Sequence, residues 1–327
     1  MFHSSLWKFN LDIDKKWLFL ISVTIAPGML LSIITKNPIW FAASFLAANS
    51  ILPLSNTFSS KFFAILYSVL LCSLAYLIKF LLVTHSYAYM LLFFSALALF
   101  CGIIDNEDKK FRYIAAGLII ASIYGGEQLM SAPISVPQLL LILLVSVFSV
   151  SLVLFTMKSE RINIRPQLIG ISKRNFIFNF KYVCPMVVSI LVWYKFNIQE
   201  PQWLIWSSLS VVYPDLDALS LKFQQRMFGV LCGVVIGVII SALLPKSIVV
   251  TFLCFTLTLL SLGMFKHYFP SYLLRCLCAV VYAGNQSSEI ASTRLCNVII
   301  GGLIGVICTI LLVKLQEFWW SKRKSLS

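Results

Sequence analysis

The chain has 327 residues, of which 60% are hydrophobic and only 12% charged, with a formal net charge of +14 and a mean hydropathy of +0.91. A soluble globular protein rarely exceeds half apolar residues, so this composition excludes one and puts the chain in a bilayer. The positive charges lie between apolar runs rather than along one stripe or arm, which argues against nucleic acid as a partner and leaves them to orient the protein.

The amino-terminal stretch MFHSSLWKFNLDIDKK lacks the apolar core and small-residue cleavage site of a signal peptide, so the first span is expected to stay in the mature protein. A helix needs roughly 20 residues to cross about 30 Å of hydrocarbon. Runs approaching or reaching that length lie at 17–35, 60–83, 87–104, 113–126, 138–157, 182–194, 227–244, 247–264, 268–283 and 295–315, and two shorter ones at 38–52 and 201–213. The expected fold is an all-α membrane protein with eleven or twelve transmembrane helices. If the count is twelve, 20 of the 26 Lys and Arg fall on one side of the membrane. Four (Lys36, Lys195, Lys246 and Arg294) fall on the other, and Lys79 and Lys314 sit near helix ends where they can snorkel. That bias puts both termini in the cytoplasm.

The two halves resemble each other. NPIWFAASFLAANSILPLSNTFSSKFF from Asn37 lies over EPQWLIWSSLSVVYPDLDALSLKFQQR from Glu200, matching Pro38 to Pro201, Trp40 to Trp203, Pro53 to Pro214 and Lys61 to Lys222. Further on, IYGGEQ lies over VYAGNQ, matching Tyr124 to Tyr282. The division expected is a first six-helix repeat at 1–157, a cytoplasmic linker at 158–181 and a second six-helix repeat at 182–327 with a basic tail. Six is even, so both repeats enter the membrane in the same orientation, and their pseudo-twofold axis runs along the membrane normal. The second copy keeps charges that the first lacks: Leu54 stands opposite Asp215 and Ile65 opposite Arg226.

Both short runs are proline-ended and occupy matching places in the repeats. A broken segment at membrane depth must be buried in protein or line a wet cavity, and such paired interruptions point to a transport site. The plainer reading is that Pro214 ends a tilted helix at the surface while Asp215 or Asp217 caps the next one; the two readings are compatible. Arg275, about five residues inside its span, and Arg294, at the outer mouth of the last span beside Glu289, read either as pathway residues or as snorkelling cations. Lys222 and Arg226 stand at the inner mouth. Glu127 and Glu289 are the candidate proton carriers, or else wetted loop residues. Gly229, Gly233 and Gly237 share one helix face, as do Gly301 and Gly305, a spacing that lets helix backbones pack closely. Trp40, Trp203 and Trp206 read as interfacial anchors, with an aromatic wall for a ligand as the other reading. The nine cysteines sit in or beside apolar segments without a CxxC pair, so no metal site, and no cofactor, is expected. No Walker motif or nucleophile motif is present, so neither ATP hydrolysis nor another enzymatic activity is expected.

The segment WSSLSVVYPDLDALSLKFQQRMFGVLCGVVIGVIISALL resembles the repeated core motif of the fusaric acid resistance and aromatic acid exporter (FUSC-like) family. It shares a Trp-led short helix, a Pro-Asp pair, then Gln-Arg-x-x-Gly-x-x-x-Gly. STRLCNVIIGGLIGVICTILL, from Ser292 to Leu312, is similar to that family's final span. The resemblance implies a multi-pass inner-membrane exporter of aromatic carboxylic acids and other amphipathic toxicants, often beside a periplasmic adaptor subunit of the membrane-fusion type. It also implies kinship with plant malate-conducting channels built as dimers of six-helix units. By motif position it carries over Pro214, Asp215, Arg226, Gly229, Gly233 and Arg294. Two departures stand out: the segment between the halves is only about two dozen residues where many members have a large cytoplasmic domain, and the first repeat lacks the Asp and Arg. The expected activity is proton-driven export of small aromatic or amphipathic organic anions. A passive organic-anion channel and a non-transporting subunit of an envelope assembly are the alternatives, and a homo-oligomer is a further expectation.

Overall fold

The structure is a computed structural model and describes residues 12–52, 61–84, 87–107, 112–129, 135–156, 177, 179–213, 215–245, 247–283 and 287–324. Pro214 and most of the expected linker at 158–181 lie outside the described residues.

Among the described residues there are twelve helices and no β-strand: α1 (Lys15–Thr35), α2 (Trp40–Ile51), α3 (Lys61–Thr84), α4 (Tyr87–Glu107), α5 (Arg112–Gln128), α6 (Val136–Thr156), α7 (Val183–Phe196), α8 (Pro201–Ser210), α9 (Leu216–Leu243), α10 (Ile248–Leu260), α11 (Tyr268–Ala283) and α12 (Ser287–Lys324). Six of them, α1, α3, α4, α6, α9 and α12, are long and apolar enough to cross a membrane. The short runs are short helices: α2 has 12 residues and α8 has 10, so α8 rises only about 15 Å. Two boundaries differ from the apolar runs for a physical reason. α9 begins at Leu216 rather than near 227, because Asp215 caps it and the polar stretch up to Arg226 is itself helical. α12 continues to Lys324, since Glu, Lys and Arg favour helix as readily as apolar residues once the chain leaves hydrocarbon.

The chain forms two compact units. One comprises residues 19–190 and 314–327. There α3 packs on α5, α4 on α5, and α2 on α3, α5 and α6. Its core gathers Ala42, Ala43 and Leu46 of α2, Cys72 and Ala75 of α3, and Ile142 of α6. Small residues set the approach: a Cβ on Gly125 would lie 2.7 Å from Leu46 Cδ2, and one on Gly126 would lie 2.8 Å from Ile78 Cγ2. The segment leading into α7 is fixed by a buried ion pair, Lys181 Nζ to Asp105 Oδ2 at 2.7 Å, and by the Tyr182 hydroxyl, which donates to the same oxygen at 2.6 Å.

The other unit comprises residues 1–18 and 191–313. α9 and α11 form its central pair, and α10 packs on α11. Val230 and Val234 of α9, Cys276 and Val280 of α11, and Val298 of α12 make its core. α9 shows the two faces a membrane helix needs. Gly229, Gly233 and Gly237 are buried, whereas Leu231, Val235 and Ile239 are exposed with apolar surface. The segment before α1 belongs to this unit: Ile13 bridges Phe265, Asp14 N–H donates to Met264 O at 2.8 Å, and Lys266 N–H donates to Asp12 O at 3.0 Å. In both units many Ser and Thr hydroxyls donate to the carbonyl four residues back, as Thr24 does to Leu20 and Thr309 to Gly305, so they enter apolar surroundings already satisfied.

Candidate functional site

In the unit built on α8 to α12, Arg226, Arg275 and Arg294 gather around the short helix α8. Pro201 opens α8 at its first turn, where its missing N–H costs nothing. The turn before it holds Glu200 at φ 52°, and Asn297 of α12 braces it by donating to Gln199 O at 2.7 Å and Glu200 O at 3.0 Å. Gly301 and Gly305 of α12 face the α8 backbone at Leu204 and Ser208, where any side chain would collide, and the Ser207 hydroxyl donates to Val298 O at 2.7 Å. This close seating aims Trp203 and Trp206, one helical turn apart, at cations on neighbouring helices.

At the start of α9 the Asp215 carboxylate accepts the Asp217 N–H at 3.1 Å, satisfying one of the free donors of the first turn. Seven residues on comes Lys222, and one turn later Arg226, which is only 1% exposed. α11 presents Tyr268, Tyr272 and Arg275, spaced four and three residues apart and therefore on one face. Arg226 Nη1 donates to the Tyr268 hydroxyl at 2.7 Å, and its guanidinium carbon lies 4.4 Å from the centre of the Tyr272 ring and 5.8 Å from that of Trp206. Arg275, 8% exposed, donates from Nε to Ser271 O at 3.1 Å and lies 5.5 Å from the Trp206 ring. Lys222 Nζ stands 3.0 Å from the Tyr268 ring centre. The cluster is thus three cations and three aromatic rings from α8, α9 and α11.

Among the described residues no carboxylate pairs with Lys222, Arg226 or Arg275. Arg226 Nε and the Tyr272 hydroxyl are buried without a hydrogen-bond partner there. A buried ion costs several kcal/mol to desolvate, and a cation over an aromatic face recovers about 2 kcal/mol when water is excluded. The rings offset part of the cost for three cations; an anion would offset the rest. Chemically, the arrangement can hold a carboxylate or similar anion while presenting flat apolar surface to whatever carries it.

The other residues singled out from the sequence are distributed differently. Arg294 is 5% exposed and covers the Trp203 ring at 4.4 Å, whereas Glu289 is exposed in the first turn of α12. Asp215 is exposed and caps α9. Glu127 is half-buried near the end of α5, in the other compact unit. Gly229, Gly233 and Gly237 lie against α11: a Cβ on Gly229 would be 2.7 Å from Tyr272 Cδ1, and one on Gly233 would be 2.6 Å from Leu273 O. Among the described residues no group of three or more His, Cys, Asp or Glu could hold a metal ion. Sequence reasoning missed Tyr268 and Tyr272 and read Trp203 and Trp206 as interfacial anchors, with an aromatic wall for a ligand as the other reading. The available signal was their spacing, which sets each pair on one helix face, Tyr268 and Tyr272 together with Arg275.

Residues 168–308, which contain α7 to α11 and more than half of α12, match the family model described as fusaric acid resistance protein-like. No curated protein and no solved structure matches the chain. The protein is a multi-pass membrane protein whose second half is similar to the fusaric acid resistance protein-like family.

Proposed function

We propose that this protein is a transporter of small organic anions with an aromatic or amphipathic body, moving them out of the cytoplasm across the inner membrane under a proton gradient. The observation that carries this reading is the cluster of Lys222, Arg226 and Arg275, three cations turned toward Trp206, Tyr268 and Tyr272 with no carboxylate to balance them among the described residues. The carboxylate of the substrate takes the place of the missing counter-ion, and its apolar body takes the faces of Trp206 and Tyr272. Arg294 on Trp203, further along α8, is the next cation met on the way out.

The recurring helix order and pairings support two six-helix repeats. α3 and α4 pack on α5 in one unit as α9 and α10 pack on α11 in the other, and a short helix is the second element of each half. The Lys and Arg bias supports cytoplasmic termini. On the register of the repeats, Ile65 stands where Arg226 does, so the anion is handled by one half only.

The test is efflux of aromatic carboxylates from cells expressing Arg226→Ala, with protein level and unfolding temperature held equal to those of the unaltered chain. Export should fall at least about tenfold, the loss expected when one charge-assisted contact of about 1.5–3 kcal/mol disappears. Unchanged export removes the cluster from the mechanism. A passive channel is the second reading, favoured by the lack of a carboxylate at the cluster that could carry a proton. Reconstituted vesicles separate the two: a carrier stops when the pH gradient is collapsed, while a channel passes current that follows voltage.

A further inference from the structure

Tyr268 has a position that an open anion site would not give it; the inference that follows rests on the anion-binding reading of Lys222, Arg226 and Arg275. Its ring lies nearly parallel to that of Tyr272, with centres 5.6 Å apart and planes 12° apart. The Lys222 ammonium stands 3.0 Å from its ring centre, and its hydroxyl oxygen accepts from Arg226 Nη1 at 2.7 Å. An aromatic anion at this site would use the same three contacts: a flat ring to stack on, an ammonium against its face and a guanidinium N–H on its oxygen. Tyr268 supplies all of them from within the chain.

We propose that Tyr268 is an internal plug whose phenol occupies the place of the anion's ring and oxygen and has to swing out before an anion binds. The two stacked tyrosines differ in how they are held. Tyr272 is 1% exposed, sits in the second turn of α11, and fills the space that Gly229 leaves. It is a fixed floor. Tyr268 is half-buried and is the first residue of α11. The backbone just before it is tied down, Met264 O accepting from Asp14 N–H and Lys266 N–H donating to Asp12 O. A swing of the ring about its own side-chain bonds would therefore leave its attachment point in place. Binding then requires the plug-out conformer, and the apparent dissociation constant is the intrinsic one divided by the fraction of molecules in that state.

The experiment uses the full chain in lipid nanodiscs with benzoate as the probe, binding being read by calorimetry. Tyr268→Ala should tighten benzoate binding about tenfold or more, and Tyr268→Phe, which keeps the ring and loses the contact to Arg226, by about threefold. Arg226→Ala should abolish binding to either background. If the unaltered chain binds benzoate, Arg226→Ala does not, and Tyr268→Ala binds no better or worse, the plug is overturned while the anion site stands. Binding by Tyr268→Ala alone supports the plug. Failure of every chain to bind, or binding indifferent to Arg226→Ala, overturns the anion site and the plug with it. Should Tyr268→Ala not fold, Tyr268→Phe decides: unchanged or weaker binding sinks the proposal.

Discussion

The guanidinium of Arg294 lies 4.4 Å over Trp203, and Trp203 stands one turn of α8 from Trp206, the ring shared by Arg226 and Arg275. A ten-residue helix thus gives two different cation groups an aromatic face each. Trp203→Leu and Arg294→Met should each destabilise the protein, and the double variant should lose less than their sum. The coupling expected for a desolvated cation–π pair is about 1–2 kcal/mol. Denaturation of the four chains in one detergent measures it, and additive losses would show that the stacking contributes nothing.

Asp215 separates a cap from a pathway charge. If its work is to accept the Asp217 N–H, Asp215→Ala costs about 1 kcal/mol and Asp215→Asn only a few tenths, because both Asp and Asn accept at an N-cap. Anion flux with Asp215→Asn should match that of the unaltered chain. A drop in flux at normal stability would give the carboxylate charge a role in transport.

The α9–α11 seam predicts an order of severity. A Cβ on Gly233 meets the Leu273 carbonyl, which is backbone and cannot turn aside, whereas one on Gly229 meets the edge of the Tyr272 ring. Gly233→Ala should cost about 1–3 kcal/mol, Gly229→Ala less, and Val235→Ala on the exposed face of the same helix least. Gly229→Ala should instead disturb anion binding, since it pushes the floor of the site. Thermal unfolding with benzoate titration of the three variants checks both orders.

The ion pair of Lys181 and Asp105 is buried, with Tyr182 donating to the same oxygen. Asp105→Leu or Lys181→Met alone should cost about 3–5 kcal/mol by stranding the other charge, and the combined substitution should recover most of that. Chemical denaturation of single and double variants is the measurement. Equal loss in the double variant would mean the pair is held by packing alone.

Much of this fold is written in apolar run lengths. The short runs before Leu52 and Tyr213 became α2 and α8, and the polar stretch after Pro214 became the first turns of α9 because Asp215 caps it. The cations Lys222, Arg226 and Arg275 were visible because a charge inside an apolar run is costly and stands out. Their aromatic partners were not, since Tyr268 and Tyr272 in an apolar helix look like any other filling residue until α9 is laid against α11. Arg294 and Glu289 seemed a pair by sequence proximity, but five residues on a helix turn the two side chains to different faces, and one is buried while the other is exposed.

The bridge from Ile13 to Phe265 joins the segment before α1 to the turn before α11. A ribosome adding about 5–20 residues per second needs on the order of ten to fifty seconds to reach Phe265 after Ile13 has emerged. Throughout that interval the leader of α1 lacks its binding site, so the first helix enters the membrane long before its own amino-terminal end can settle. The unit that holds Arg226 therefore closes on its amino-terminal segment only after Phe265 has been made.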